Sequence, residues 1–187
     1  KQITYEPPIE VKKGEEIGQI WGPVFAGVSE TGAPIFQDVN GDGQVLAGQD
    51  KWNDPAGDFK VLGKGIPDFE LGWNNAISYK GWNVNAFFRG AFGHSLVNTW
   101  RAFYEPHLST QTSYNYVNTS LAVPGLTTAR FSSLYVEKAD FFKLDNLTIS
   151  RNLGSNKYLK NFNVSLTGQN LFVLTKYTGA DPEPSLV

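Results

Sequence analysis

The sequence predicts an all-β fold, a stretch of antiparallel transmembrane β-barrel, on three observations. Its alternating segments are longer than ordinary soluble strands, aromatic residues gather beside the short connections, and the connections alternate between long and short. Composition agrees: of 187 residues, 14% are aromatic and 18% charged, against about 25% charged in average soluble domains. The 19 glycines and abundant Asn, Ser and Thr favour strands and turns over helices.

From Lys1 to Glu16 the chain is polar and contains Pro7-Pro8, the mark of an edge or loop segment. Ile17 to Val28 is aromatic and β-prone, and Gly32 closes it with a turn. The stretch from Ala33 to Gly65 is dense in Asp, Asn and Gly and keeps no period of 2 or 3.6, so it is expected to be a long structured loop. Beyond Pro67 the pattern sharpens. Phe69, Leu71, Trp73, Ile77 and Tyr79 share one parity, interrupted only by Asn75, while Glu70, Gly72, Asn74 and Ser78 share the other.

Lys80-Gly81 reads as a tight turn, after which Trp82, Val84, Ala86 and Phe88 alternate with Asn83, Asn85, Phe87 and Arg89 up to Gly93. Strands of this hairpin exceed the roughly 5–6 residues typical of soluble sheets and suit a tilted bilayer crossing. Tyr79 and Trp82 flank the turn, where an aromatic girdle would meet the membrane boundary. His94 to Asp140 is a second long irregular stretch, and Phe141 to Leu153 a third strand. In that strand Phe142 and Leu144 take one parity and Leu147 and Ile149 the other, which predicts a bulge between Lys143 and Asn146. A short connection from Gly154 to Asn161 leads to a fourth strand, Phe162 to Leu174.

Outer-membrane barrels have short periplasmic turns and longer extracellular loops. Lys80-Gly81 and residues 154–161 are therefore expected on the periplasmic side, and residues 33–65 and 94–140 outside. Arg89 shares its parity with Asn83 and Asn85 and is expected to face the lumen, since a charge facing lipid at the midplane costs about 2–4 kcal/mol. Arg151, near the second turn, is expected at an interface.

Several classes are excluded or disfavoured. A net charge of −2 and the lack of a long Lys/Arg run leave no footprint for nucleic acid. Without Cys there is neither a disulfide nor a thiolate site. No apolar run approaches the 18 residues of a membrane helix, and no signal-peptide pattern is present. The chain starts at Lys1 and contains no Met, which reads as a processed or partial chain.

One motif carries metal chemistry. Asp38-Val39-Asn40-Gly41-Asp42-Gly43 matches the first half of an EF-hand-like loop, with Asp38, Asn40 and Asp42 as side-chain ligands for Ca²⁺, Gln44 through its carbonyl, and Asp50 one residue beyond the closing position. An Asx- and Gly-rich turn needing no metal explains the same residues. His94 and His107 have no second ligand at zinc spacing. No nucleophile elbow occurs, and Glu105, Glu137 and Asp140 read as solvated loop acids, so no enzyme activity is expected and no catalytic residue is assigned. The aromatic stretch from Trp100 to Asn118 offers stacking faces for a sugar or a peptide, or else serves loop packing or contact with a partner protein. Substrate-binding residues are not assigned.

The segment GQNLFVLTKYTGADPEPS, Gly168 to Ser185, resembles the C-terminal signature of SusC/RagA-type TonB-dependent transporters. DVNGDGQ at Asp38 to Gln44, YKGWNVNAFFRGAFG at Tyr79 to Gly93 and YVEKADFFKLDNLTIS at Tyr135 to Ser150 follow in the family's order. The resemblance implies a bacterial outer-membrane barrel of about 22 strands, of which this C-terminal segment holds about five. It also implies import of oligosaccharides or peptides, a SusD-like surface lipoprotein as lid, and energy from the TonB complex. The plug domain and TonB box that the family carries are absent from this sequence, and the closing strand is not reached. The competing expectation is a soluble all-β module, stapled by calcium, that binds glycans. In that module Phe69, Leu71, Trp73, Ile77 and Tyr79 would pack against a second sheet; in a barrel wall they face outward.

Overall fold

A computed structural model describes residues 9–10, 13–45, 57–105, 117, 119–128, 130–158 and 160–183. They form eleven β-strands, one short α-helix and a single 3₁₀ turn. The chain divides into two compact units, one of residues 67–93 and 139–176, the other of residues 1–66, 94–138 and 177–187. Among the described residues no helix is long and apolar enough to cross a membrane.

The first unit is one antiparallel sheet. Its strands are β6 (Phe69–Tyr79), β7 (Trp82–Phe92), β10 (Phe141–Asn152) and β11 (Asn163–Thr175), hydrogen-bonded in the order β11-β10-β7-β6. Lys80 and Gly81 take φ of 47° and 83°, the positive values of the hairpin turn that matches strand twist. At about 3.4 Å per residue an 11-residue strand such as β6 extends roughly 35 Å. A tilt of about 40° reduces this to about 26 Å, close to the roughly 25 Å apolar band of an outer-membrane barrel.

Cross-strand register assigns every side chain to a face. Tyr79 pairs with Trp82, Trp82 with Arg151 and Arg151 with Val164, making one row at the tight-turn end. The next row is Ile77, Val84, Ile149 and Leu166. Farther along come Asn75, Ala86, Leu147 and Gly168, then Trp73, Phe88, Leu144 and Phe172. This face is apolar from end to end, and Asn75 is its one polar break before the Arg151 row. Its rings stack: Phe69 on Phe92 at 4.8 Å, Trp73 on Phe88 at 5.4 Å, and Phe88 on Phe142 at 5.5 Å between centroids. Each such pair adds about 0.5–1.5 kcal/mol beyond area burial.

The predicted bulge is present. Register slips between Leu144 and Asn146 on both sides of β10: against β7 Asp145 is the extra residue, against β11 the extra residue lies on β11 between Gln169 and Phe172, and Leu147 and Ile149 are carried to the face of Phe142 and Leu144. Opposite it, on β11, Asn170 takes a positive φ of 49°. The other face then collects Asn83, Asn85, Arg89, Lys143, Asn146, Thr148, Thr167 and Gln169, together with the apolar Phe87, Phe141 and Val173. The apolar face is open: Phe69, Trp73, Ile77 and Tyr79 are each more than half exposed, and Leu166 is 76% exposed. A soluble module would have covered these residues.

The second unit is built of short strands. β1 (Ile9–Glu10), β2 (Gln19–Pro23) and β5 (Phe59–Lys64) form a three-stranded sheet, β3 (Phe25–Val28) pairs with β4 (Pro34–Phe36), and β8 (Ser95–Val97) pairs with β9 (Val136–Lys138). The single strand expected over Ile17 to Val28 is thus two, broken at Val24 next to Pro23, which has no N–H to donate to a ladder. The stretches expected as irregular, 33–65 and 94–140, both contain strands, and the second also contains helix α1 (Thr99–Tyr104). Six residues are too few to show a 3.6 period, so this helix left no trace in the hydrophobic pattern. The unit's core includes Ile20, Phe36, Ala102, Leu126 and Tyr135. Gly22 permits close packing there, since a Cβ at that position would lie 2.5 Å from the Phe131 ring.

Candidate functional site

Three arrangements carry chemistry, and each lies within one unit. The first is the polar face of the four-stranded sheet. Arg89 on β7 reaches across to the bulge residue, its Nε donating to Asp145 Oδ2 at 3.1 Å and Nη2 to Oδ1 at 3.3 Å. Lys143 Nζ lies 3.5 Å from Asp145 Oδ1. The bulge thus aims a carboxylate between two cations on the face where Arg89 was expected. Nearby, the hydroxyls of Thr148 and Thr167 hydrogen-bond at 3.0 Å across β10 and β11, and Ser78 Oγ donates to Asn83 Oδ1 at 2.7 Å. Such a face suits a water-filled lumen: its polar groups pair with one another without exhausting their capacity for solvent. Arg151 lies on the opposite face at the turn end, its guanidinium 4.9 Å from the centre of the Trp82 ring, the position expected for an interface.

The second arrangement is the Asx loop. Asp38 accepts from the backbone N–H groups of Gly41 at 2.6 Å and Gly43 at 2.8 Å. Asn40 Oδ1 accepts from Asp42 N at 3.0 Å, and Asp42 Oδ1 from Gln44 N at 2.8 Å. Positive φ at Gly41 and Gly43, 78° and 84°, lets the chain fold round these acceptors. From farther away the buried Asp58 accepts from Val39 N at 2.7 Å and ties the loop down. The structure therefore brings together Asp38, Asn40, Asp42 and Gln44; Asp50 lies outside the described residues. No group of three or more His, Cys, Asp or Glu side chains with metal-holding geometry occurs among the described residues.

The third arrangement was not anticipated, because its acids read as solvated. Helix α1 starts at Asn98, whose Oδ1 accepts from Arg101 N at 3.1 Å. Arg101, 4% exposed, forks onto Glu105, with Nε to Oε1 and Nη2 to Oε2 both at 3.0 Å. Its Nη1 donates to Glu137 Oε1 on β9 at 2.7 Å. Thr178 closes the far side of Glu137, its backbone N–H at 2.9 Å from Oε2 and its hydroxyl at 2.8 Å. Thr119 Oγ1 donates to Glu105 in a short contact. Glu105 and Glu137 are thus members of a buried network, contrary to the expectation of solvated acids, because one guanidinium pairs with both. Asp140 is exposed as expected and accepts from Gly93 N at 2.7 Å.

Electrostatics follows from these contacts. Burial alone would push Glu137 up, but hydrogen bonds from Arg101, Thr178 and Asn98 outweigh it and hold the carboxyl below the ordinary range. For Arg101 burial acts to lower the pKa, and Glu105 and Glu137 more than reverse it. The network fixes α1 so that Trp100, Phe103 and Tyr104 stay exposed, with Trp100 and Tyr104 rings 4.8 Å apart. Of the expected aromatic stretch from Trp100 to Asn118, residues 106–116 and 118 lie outside the described residues, His107 among them. His94 is fully buried, its Nε2 3.0 Å from the Pro182 carbonyl.

No family model matches the chain. It is 28% identical over 200 residues to TonB-dependent receptor P3 of Formosa agariphila, an alignment covering 92% of this chain and 19% of that protein. TonB-dependent receptor P26 of the same organism is 28% identical over 191 residues, covering 87% and 19%. The chain therefore spans less than a fifth of the length of the curated relatives it matches. Among solved structures, the RagAB peptide transporter superposes with a TM-score of 0.63 at 22% identity over 94% of this chain and 22% of that one. The RagAB peptide importer in its open-open state gives 0.62 at 20% identity over 97% and 22%. These likenesses show the fold to be that of a transporter barrel. They bear out the resemblance to SusC/RagA-type TonB-dependent transporters. The matched proteins are receptors and transporters, not enzymes.

Proposed function

We propose that this segment of outer-membrane barrel wall serves TonB-dependent import of a bulky polar solute, an oligosaccharide or a peptide, through a SusC-like transporter capped by a SusD-like surface lipoprotein. One observation carries the reading: a four-stranded sheet of bilayer-crossing length, apolar on one face and hydrogen-bonded and charged on the other. In this role the chain makes and breaks no covalent bond. The apolar face holds the wall in lipid, the polar face lines the path, and residues 33–65 and 94–140 meet the outside. The exposed aromatics of α1 fall on that outer side, where lid or solute is met. The solved transporters of the same fold are described as peptide carriers, which puts peptides first in the assay.

The test is uptake of labelled oligopeptides and of labelled oligosaccharides by cells carrying the gene or its deletion, with and without a protonophore. Energy-dependent uptake of one class, lost on deletion, is expected. Uptake of both classes that is indifferent to deletion and protonophore would overturn the proposal.

The Asx loop enters the reading as a stabiliser of the outer region. Asp38, Asn40 and Asp42 through side chains and Gln44 through its carbonyl take Ca²⁺, with Asp50, one residue beyond the closing position, as the outlying acid. Support comes from the alternate Asx side chains that one short loop already orients by hydrogen bonds, leaving further lone pairs to a hard cation. Calorimetric titration with calcium is expected to show binding that Asp42→Ala abolishes. Absence of calcium binding in the unaltered protein would leave the loop a metal-free Asx turn.

A further inference from the structure

Acidic residues are segregated along the four-stranded sheet in a way the import reading does not use, whereas cations stand at both ends. The acids of this unit, Asp68, Glu70, Asp140 and Asp145, all lie in the half remote from the tight turns. At the tight-turn end stand Lys80, Arg151, Lys157 and Lys160, all exposed, with no acid between Ser78 and Asn83 or between Ser150 and Asn163. Among the described residues no carboxylate pairs with any of the four. Two sit on girdle rings: Lys80 Nζ is 5.1 Å from the centre of the Tyr79 ring, and Arg151 rests on Trp82.

We propose that this end of the sheet is a docking surface for the headgroups of anionic phospholipids in the leaflet it meets. The argument for lipid over a soluble anion is continuity. Tyr79, Trp82 and Arg151 form one row on the apolar face, directly below Ile77, Val84, Ile149 and Leu166. A phosphodiester held at that row has its acyl chains beside the apolar band, where a free phosphate would have nothing to cover. Stacking on Trp82 occupies one face of the Arg151 guanidinium and leaves its edge N–H groups for phosphate oxygens. Tyr and Trp set the depth, because their amphipathic rings settle at headgroup level. Lys157 and Lys160, on the short connection beyond the strands, add reach into the aqueous side of the headgroup layer. The inference rests on the barrel reading, and on the short connections facing the periplasm.

The test uses the intact outer-membrane protein in detergent, delipidated and offered phosphatidylglycerol, phosphatidylcholine or inorganic phosphate, with bound adducts read by native mass spectrometry. Phosphatidylglycerol is expected to be retained over phosphatidylcholine and not displaced by phosphate. Since each cation near an anionic membrane surface contributes about fivefold to affinity, K80Q/R151Q/K157Q/K160Q is expected to lose retention by more than about a hundredfold. The pair K157Q/K160Q, outside the strands, is expected to show a smaller loss in the same direction and keeps the test open if the fourfold variant fails to fold. Equal retention of both lipids, displacement by phosphate, or retention unchanged by both variants would overturn the proposal. Orientation is read separately with Ser155→Cys in this cysteine-free stretch. Labelling of intact cells by an impermeant maleimide would refute the periplasmic placement, and with it the assignment of the bound headgroups to the periplasmic leaflet.

Discussion

Arg101 shows how much one side chain organises in the second unit. It satisfies two buried carboxylates and two backbone carbonyls, those of Leu134 and Leu121, and only a planar fork of five donors does this at once. Removing it leaves Glu105 and Glu137 without their cation. Arg101→Ala is therefore expected to destabilise the unit by about 3–5 kcal/mol, and Arg101→Lys to recover only part of that, both read from thermal unfolding. Glu137 makes the same network sensitive to acid. Its pKa is lower folded than unfolded, so the unfolded chain binds the proton first. Its stabilisation is full above the unfolded carboxylate pKa of about 4.3 and is lost as pH falls through the lower folded value. Unfolding midpoints of the unaltered protein are expected to drop through that acid window, and those of Glu137→Gln to drop less. These residues were hard to foresee in the sequence. The only local signs were Asn98 at a helix start and the four-residue spacing of Arg101 and Glu105, while Glu137 and Thr178 come from segments that only the fold brings near.

At the scale of the element, alternation was the legible signal. Phe69 to Tyr79 and Trp82 to Phe92 were readable because most side chains answer to lipid or to water, so a period of two persists through the exceptions Asn75 and Phe87. The bulge in β10 was readable for the same reason, as a change of parity between Leu144 and Leu147. Where a strand has no lipid to answer to, as in β2 to β5, β8 and β9, the period fades and boundaries were missed. The two faces make a sharp comparison possible at neighbouring positions. Leu147 lies in the middle row of the apolar face, and Thr148 on the polar one. Leu147→Arg is expected to cost about 2–4 kcal/mol in a bilayer, Thr148→Arg well under 1 kcal/mol, measured by reversible unfolding in lipid vesicles. Equal costs would refute the assignment of faces.

For the molecule as a whole, the sequence revealed the four-stranded sheet better than the second unit. A bilayer imposes one simple rule on many residues, whereas the second unit is held by particular contacts such as Asp58 to Val39 and Gly22 against Phe131. The Asx loop was legible because its ligand-like oxygens lie within seven consecutive residues, Asp38 to Gln44. The division into units follows the chain's connections. Both short connections of the four-stranded sheet stay inside its own unit, and the chain leaves that unit near Phe69, Phe92, Phe141 and Thr175.

That inequality of connections also sets an order in time. The hairpin of β6 and β7 closes over two residues, Lys80 and Gly81, and that of β10 and β11 over a short connection, whereas β7 finds β10 only after residues 94–140 have been brought round. Loop entropy rises by about 0.6 kcal/mol for each doubling of length, so the seam between the hairpins begins with a handicap of roughly 3 kcal/mol. The wall is accordingly expected to assemble as two preformed hairpins that zip together last. Pulsed hydrogen exchange during refolding into detergent should find the amides between β6 and β7, and those between β10 and β11, protected before those joining β7 to β10. Simultaneous protection would contradict this. The partly built wall thus passes through a moment when each hairpin still shows an unpaired edge at the β7–β10 seam.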